Sequence, residues 1–114
     1  MPAASANVLV VDDDPAVGRV LEALLGQAGV ACQHVLDAKR AMEVLRERPV
    51  DVVVTDLRMP VMSGVELLDE IVERWPEIPV ILMTAHGTVE VAVEAMKKGA
   101  ADFVLKPFDR EEIL

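Results

Sequence analysis

Short unbroken aliphatic runs alternate with longer amphipathic stretches along the whole chain. Val8–Val11, Ala31–Val35, Val52–Thr55, Val80–Met83 and Phe103–Leu105 are the runs that predict strands. The clearest of them are apolar at successive positions rather than at alternate ones. That pattern belongs to strands covered on both faces, as in a parallel sheet. The second run is interrupted by Gln33 and His34, which suits an edge strand.

The stretches between the runs carry helix signals. Asp14 followed by Pro15 reads as an N-cap and a first-turn proline, and Val17, Val20, Leu21, Leu24 and Leu25 then recur at helical spacing up to Gly29. Asp37 opens a second helix with Ala38, Ala41, Met42 and Leu45 on one face, closed by Pro49. The third runs from Gly64 to about Trp75 on Val65, Leu68, Ile71 and Val72. A fourth starts near Thr88, uses Val89, Ala92, Val93 and Met96, and stops at Gly99. Asp109 with Glu112 forms a capping box for a fifth helix, cut short at Leu114. Strands alternating with helices predict an α/β fold with a parallel five-stranded sheet. No linker or repeat divides residues 1–114, so the expectation is one domain, and the short fifth helix suggests one excised from a longer protein.

Composition narrows what such a domain does. Hydrophobic residues make up 53% of the chain, yet no apolar run exceeds four residues, whereas a membrane-spanning helix needs roughly 20. The N-terminus lacks the basic and apolar regions of a signal peptide, and the single cysteine, Cys32, forms no intramolecular disulfide. Both point to the cytoplasm. A net charge of −9 and an aromatic content of 3% argue against direct contact with nucleic acid, by phosphate pairing or by base stacking. If DNA is involved, another domain binds it.

The chemistry collects where the strands end. Strand one runs into Asp12-Asp13-Asp14, strand three into Asp56, strand four into Thr84 and strand five into Lys106-Pro107. Doubly wound sheets bind ligands outside the carboxyl ends of their strands, where strand order reverses. Taken singly, Asp14 is a helix cap, Thr84 a turn residue and Lys106 a solvated lysine. Together they bring carboxylates, a hydroxyl and an ammonium to one edge. Clustered carboxylates repel one another unless a cation sits among them, so the cluster predicts a divalent metal. An all-oxygen donor set favours Mg2+ (or Mn2+) over zinc. His34 and His86 have no ligand partner, and His34 reads as an ordinary structural histidine. A carboxylate beside Mg2+, a lysine and a hydroxyl is apparatus for forming an acyl phosphate, with Asp56 as the acceptor.

Four motifs, "VLVVDDDP", "VVVTDLRMPVMSGVELL", "VILMTAHG" and "ADFVLKPFD", resemble in order and spacing the receiver domain of bacterial two-component response regulators. The resemblance implies a flavodoxin-like (CheY-like) doubly wound sheet of strand order 2-1-3-4-5. It implies a phosphorylation-controlled signalling domain, not a turnover enzyme, catalysing only its own phosphoryl transfer and slow hydrolysis. Asp56 then corresponds to the aspartate phosphorylated by a sensor histidine kinase. Asp13 matches the direct metal ligand and Asp12 its acidic neighbour acting through water, and the backbone carbonyl of Arg58 completes the protein's share of the metal shell. Thr84 matches the switch hydroxyl, with small Ala85 beside it, Lys106 the conserved-type lysine and Phe103 the aromatic switch position. Arg58 and His86 stand where the family tunes phosphorylation and hydrolysis. Ser63 departs from the Asp of "MPxMDG". The wording of the second and third motifs is most similar to receivers of the nitrogen-regulation (NtrC) type, which precede an AAA+ ATPase and a DNA-binding domain. In the family the face of helix four, strand five and helix five is often a dimer or partner surface.

Three other readings compete with this one. A haloacid-dehalogenase-type phosphatase also forms an aspartyl phosphate, and Asp12 and Asp14 have its D-x-D spacing; Ala16 and the lack of a later acidic pair count against it. A degenerate receiver would keep the fold without phosphorylation, although every chemistry position here is filled. A flavin carrier would need a Gly/Ser/Thr-rich phosphate loop after strand one, where this chain has three aspartates.

Overall fold

The computed structural model describes residues 6–57, 62–84 and 89–105. In chain order they form β1 (Asn7–Val11), α1 (Pro15–Gln27), β2 (Ala31–Val35), α2 (Ala38–Glu47), β3 (Val52–Asp56), α3 (Gly64–Arg74), β4 (Val80–Thr84), α4 (Val89–Lys97) and β5 (Asp102–Leu105). The five strands pair in parallel in the order β2-β1-β3-β4-β5, with β2 at an edge as its broken pattern predicts. The expected fifth helix, at Asp109 and Glu112, lies outside the described residues.

Side chains alternate across each strand, and both sheet faces are apolar. One face packs Leu9, Val11, Val53, Val80 and Leu82 with residues of α2, α3 and α4. On the other, Val8, Val10, Val54 and Met83 pack with Leu21 and Leu25 of α1. Covering on both sides is why β1, β3 and β4 read as unbroken aliphatic runs.

The helix starts follow the sequence signals. Asp14 caps α1 by accepting from the Ala16 N–H at 2.9 Å, and Asp37 caps α2 by accepting from Arg40 N–H at 2.8 Å. Gly29 (φ 78°) and Gly99 (φ 108°) follow α1 and α4 in left-handed backbone, which glycine adopts without strain.

Some helix faces differ from the periodic reading. Among the described side chains of α4 the one fully buried is Ala95, with Val91 partly buried, whereas Val93 and Met96 are 47% and 48% exposed. The helix is apolar on more than one side, so periodicity alone leaves its inward face undetermined. Val20 and Val72 also sit at the exposed margins of α1 and α3, and Leu67 is buried in place of Val72.

Candidate functional site

The register of the sheet sets the site. Val11 pairs with Thr55, so the residues that follow, Asp12 and Asp56, stand side by side where β1 and β3 end. Asp56 pairs in turn with Met83, which places Thr84 one residue further along the neighbouring strand. Thr84 pairs with Leu105, the residue before Lys106. Lys106 itself, Arg58, Ala85 and His86 lie outside the described residues.

One oxygen from each of Asp12, Asp13 and Asp56 lies within 4.8 Å of the others. Asp12 is fully buried and Asp56 retains 9% of its surface. Two ionised carboxylates at that distance repel by roughly 3 kcal/mol at an effective dielectric of about 20, a cost that a divalent cation between them reverses in sign. The donors are hard oxygens on two adjacent strand ends, one of them (Asp13) exposed to solvent, and this set fits Mg2+ or Mn2+. Thr84 is 1% exposed beside them. Phe103, opposite Leu82 on β5, is partly buried against the larger core.

Several contacts hold the carboxylates in place. The Asp12 N–H donates to the Val35 carbonyl at 3.1 Å, and its Oδ1 accepts from the Asp14 N–H at 2.8 Å. On β3, the Thr55 hydroxyl donates to the Asp56 carbonyl at 3.1 Å, and the Leu57 N–H donates to the Met83 carbonyl at 2.9 Å. The Gly64 N–H then returns to the Leu57 carbonyl at 2.9 Å, docking the start of α3 against the end of β3.

Three contributors went unread in the sequence. His34 is no bystander, because its Nε2 lies 2.8 Å from the Asp12 carbonyl oxygen. Gly64 packs so tightly that a Cβ there would run into the Asp56 carbonyl. Ser63 caps α3 in a reciprocal capping box, its hydroxyl accepting from the Glu66 N–H and its own N–H donating to the Glu66 carboxylate, each at 3.2 Å. The S-x-x-E spacing at 63–66 was the available signal for Ser63. For the other two, only the tertiary approach reveals the role.

A parallel sheet of this strand order with an acidic cluster on the β1–β3 edge is the architecture of signal-receiving α/β domains. The family description "Response regulator receiver domain" matches residues 8–114, and the chain belongs to that family. Among curated proteins it is similar to the DNA-binding transcriptional regulator NtrC of Escherichia coli K12, 44% identical over 105 residues, which are 92% of this chain and 22% of that protein. The chain thus spans about a fifth of the length of such relatives. Among solved structures it resembles the crystal structure of FixJ-N (TM-score 0.86, 41% identity, 97% of this chain and 89% of that one). It also resembles the solution structure of the beryllofluoride-activated NtrC4 receiver domain dimer (TM-score 0.88, 39% identity, 92% and 87%). The chain is a receiver domain of the two-component response-regulator family, similar to those of NtrC-type regulators. No helix among the described residues is long and apolar enough to cross a membrane.

Proposed function

We propose that Asp56 takes a phosphoryl group from the phosphohistidine of a cognate sensor histidine kinase. The observation that carries this reading is the convergence of Asp12, Asp13 and Asp56 at the β1–β3 edge. An Asp56 carboxylate oxygen attacks phosphorus. The new O–P bond forms as the P–N bond to the kinase imidazole breaks, and the released imidazole takes a proton from water. Asp12, Asp13, Asp56 and the Arg58 backbone carbonyl would hold Mg2+ (or Mn2+). When bound, the metal supplies positive charge against the transferring phosphoryl oxygens. The Thr84 hydroxyl and the Lys106 ammonium donate to those oxygens, and hydrolysis of the acyl phosphate resets the domain.

Phosphorylation adds negative charge and acceptor oxygens at Asp56. Each charge-assisted hydrogen bond to them contributes about 1.5–3 kcal/mol, and inverting an equilibrium from 1:99 to 99:1 takes about 5.5 kcal/mol. Three bonds of about 2 kcal/mol made only in the active state, or two near the top of that range, therefore suffice. Thr84 moves toward the phosphoryl group, Phe103 fills the space behind it, and the surface around α4 changes. The readers of that surface are the output portion of the longer regulator, an AAA+ ATPase with a DNA-binding domain, and a second copy of the chain. The whole regulator acts in the cytoplasm.

The test is intact-mass spectrometry after incubation with acetyl phosphate. Wild type gains a single phosphoryl group with Mg2+ and none with excess chelator, and Asp56→Asn gains none in either. Equal gain by Asp56→Asn and wild type would remove Asp56 as the acceptor.

A further inference from the structure

Gly18 and His34 are each out of place alone and are explained by each other. Glycine weakens a helix, yet Gly18 stands buried at the end of the first turn of α1. Histidine interrupts the apolar run of β2, where His34 pairs with Val10. A Cβ at Gly18 would overlap the His34 imidazole, so the missing side chain is the space the ring occupies. From that slot the ring reaches past β1 to the acidic loop, with Nε2 2.8 Å from the Asp12 carbonyl oxygen. A carbonyl only accepts, so Nε2 carries a hydrogen and donates it.

That carbonyl belongs to the peptide joining Asp12 to Asp13. The peptide group is planar, so fixing its oxygen also fixes the Asp13 N–H and the direction in which the Asp13 Cα leaves. The Asp12 N–H is already tied to Val35 on the same strand, β2. Both backbone polar groups of Asp12 are therefore anchored to β2, one through the main chain and one through the imidazole.

Resting on the reading of Asp12 and Asp13 as metal-holding carboxylates, we infer that His34 is a positioning residue, seated by Gly18, that sets the Asp12–Asp13 peptide and with it the divalent-cation affinity of the pocket. It touches neither the metal nor the phosphoryl group. Removing the donor while keeping an apolar filler frees the peptide to rotate, and losing one hydrogen bond that fixes the peptide between the two carboxylates weakens binding roughly three- to tenfold.

The experiment is calorimetric titration of Mg2+ alone into wild type, His34→Leu, His34→Gln and Gly18→Ala, with thermal unfolding of each and long-range 1H–15N spectra of the imidazole. His34→Leu should bind Mg2+ about three- to tenfold more weakly, and His34→Gln, whose amide N–H has similar reach, should recover most of the loss. Gly18→Ala should weaken binding to a similar extent by displacing the ring, even though alanine favours the helix. Combining it with His34→Leu should add no further loss. The wild-type imidazole should show a protonated Nε2 in a hydrogen bond. Should His34→Leu fail to fold, Gly18→Ala alone decides by the same criterion. Affinities equal to wild type in the folded variants, or a loss that Gln does not recover, overturn the role of His34 and leave the metal reading intact. Absence of Mg2+ binding by folded wild type overturns both.

Discussion

A Cβ built on Gly64 would run into the carbonyl oxygen of Asp56, because the first residue of α3 packs directly on the end of β3. Gly64→Ala should therefore cost about 1–3 kcal/mol in denaturant unfolding, as overpacking does at close contacts, and slow phosphorylation by moving Asp56. Unchanged stability would mean that the helix start simply shifts aside. Cys32 offers a second test at this scale. Burial and then the negative charge of Glu22 push its thiol up from 9.0 to about 11. The folded state thus favours the neutral thiol, so stability is full below the unfolded value and falls as pH rises from about 9 toward 11. At pH 8 the folded protein should be alkylated by iodoacetamide on the order of a hundredfold more slowly than the unfolded chain, as its smaller thiolate fraction requires. Cys32→Ala should flatten the alkaline loss of stability. The aspartates and Thr84 were legible in sequence because each ends an apolar run. His34 and Gly64 were not, because their roles depend on close approach to Asp12 and Asp56, and hydrophobic patterning carries no information about such contacts.

Among the elements, the strands were the most legible. β1, β3 and β4 are covered on both faces, and their aliphatic runs mark them to within a residue at each end. The edge strand β2 needed its flanking turn signals as well, since only Val35 in it is buried. Helix orientation was less legible in α4, where small Ala95 faces the sheet and larger Val93 and Met96 face outward. A size-blind apolar period weights the larger residues and misses that a small one lets the helix approach closely. The start of α3 yields a direct prediction. Ser63→Ala removes the capping box and should lower stability by about 1 kcal/mol, whereas Ser63→Asp, which restores the residue of the related motif, should stay within a few tenths. Thermal unfolding distinguishes them, and an unchanged midpoint in Ser63→Ala would show that the cap hydroxyl contributes nothing.

In the molecule as a whole, two adjacent strand ends form an acidic pocket, and the proposed switch links it to the rest of the fold through Thr84. If that link operates, Thr84→Ala should bind a beryllofluoride phosphoryl mimic roughly ten- to hundredfold more weakly, the effect of one charge-assisted hydrogen bond. Equal affinity would sever the proposed route from Asp56 to the α4 surface. Chemical trapping reports whether the acyl phosphate forms on Asp56. After incubation with acetyl phosphate and Mg2+, borohydride reduces an aspartyl phosphate to homoserine, and peptide mapping locates it. Homoserine at position 56 and nowhere else is the predicted result. Homoserine at position 12, or a phosphoryl gain with no homoserine at all, would contradict it.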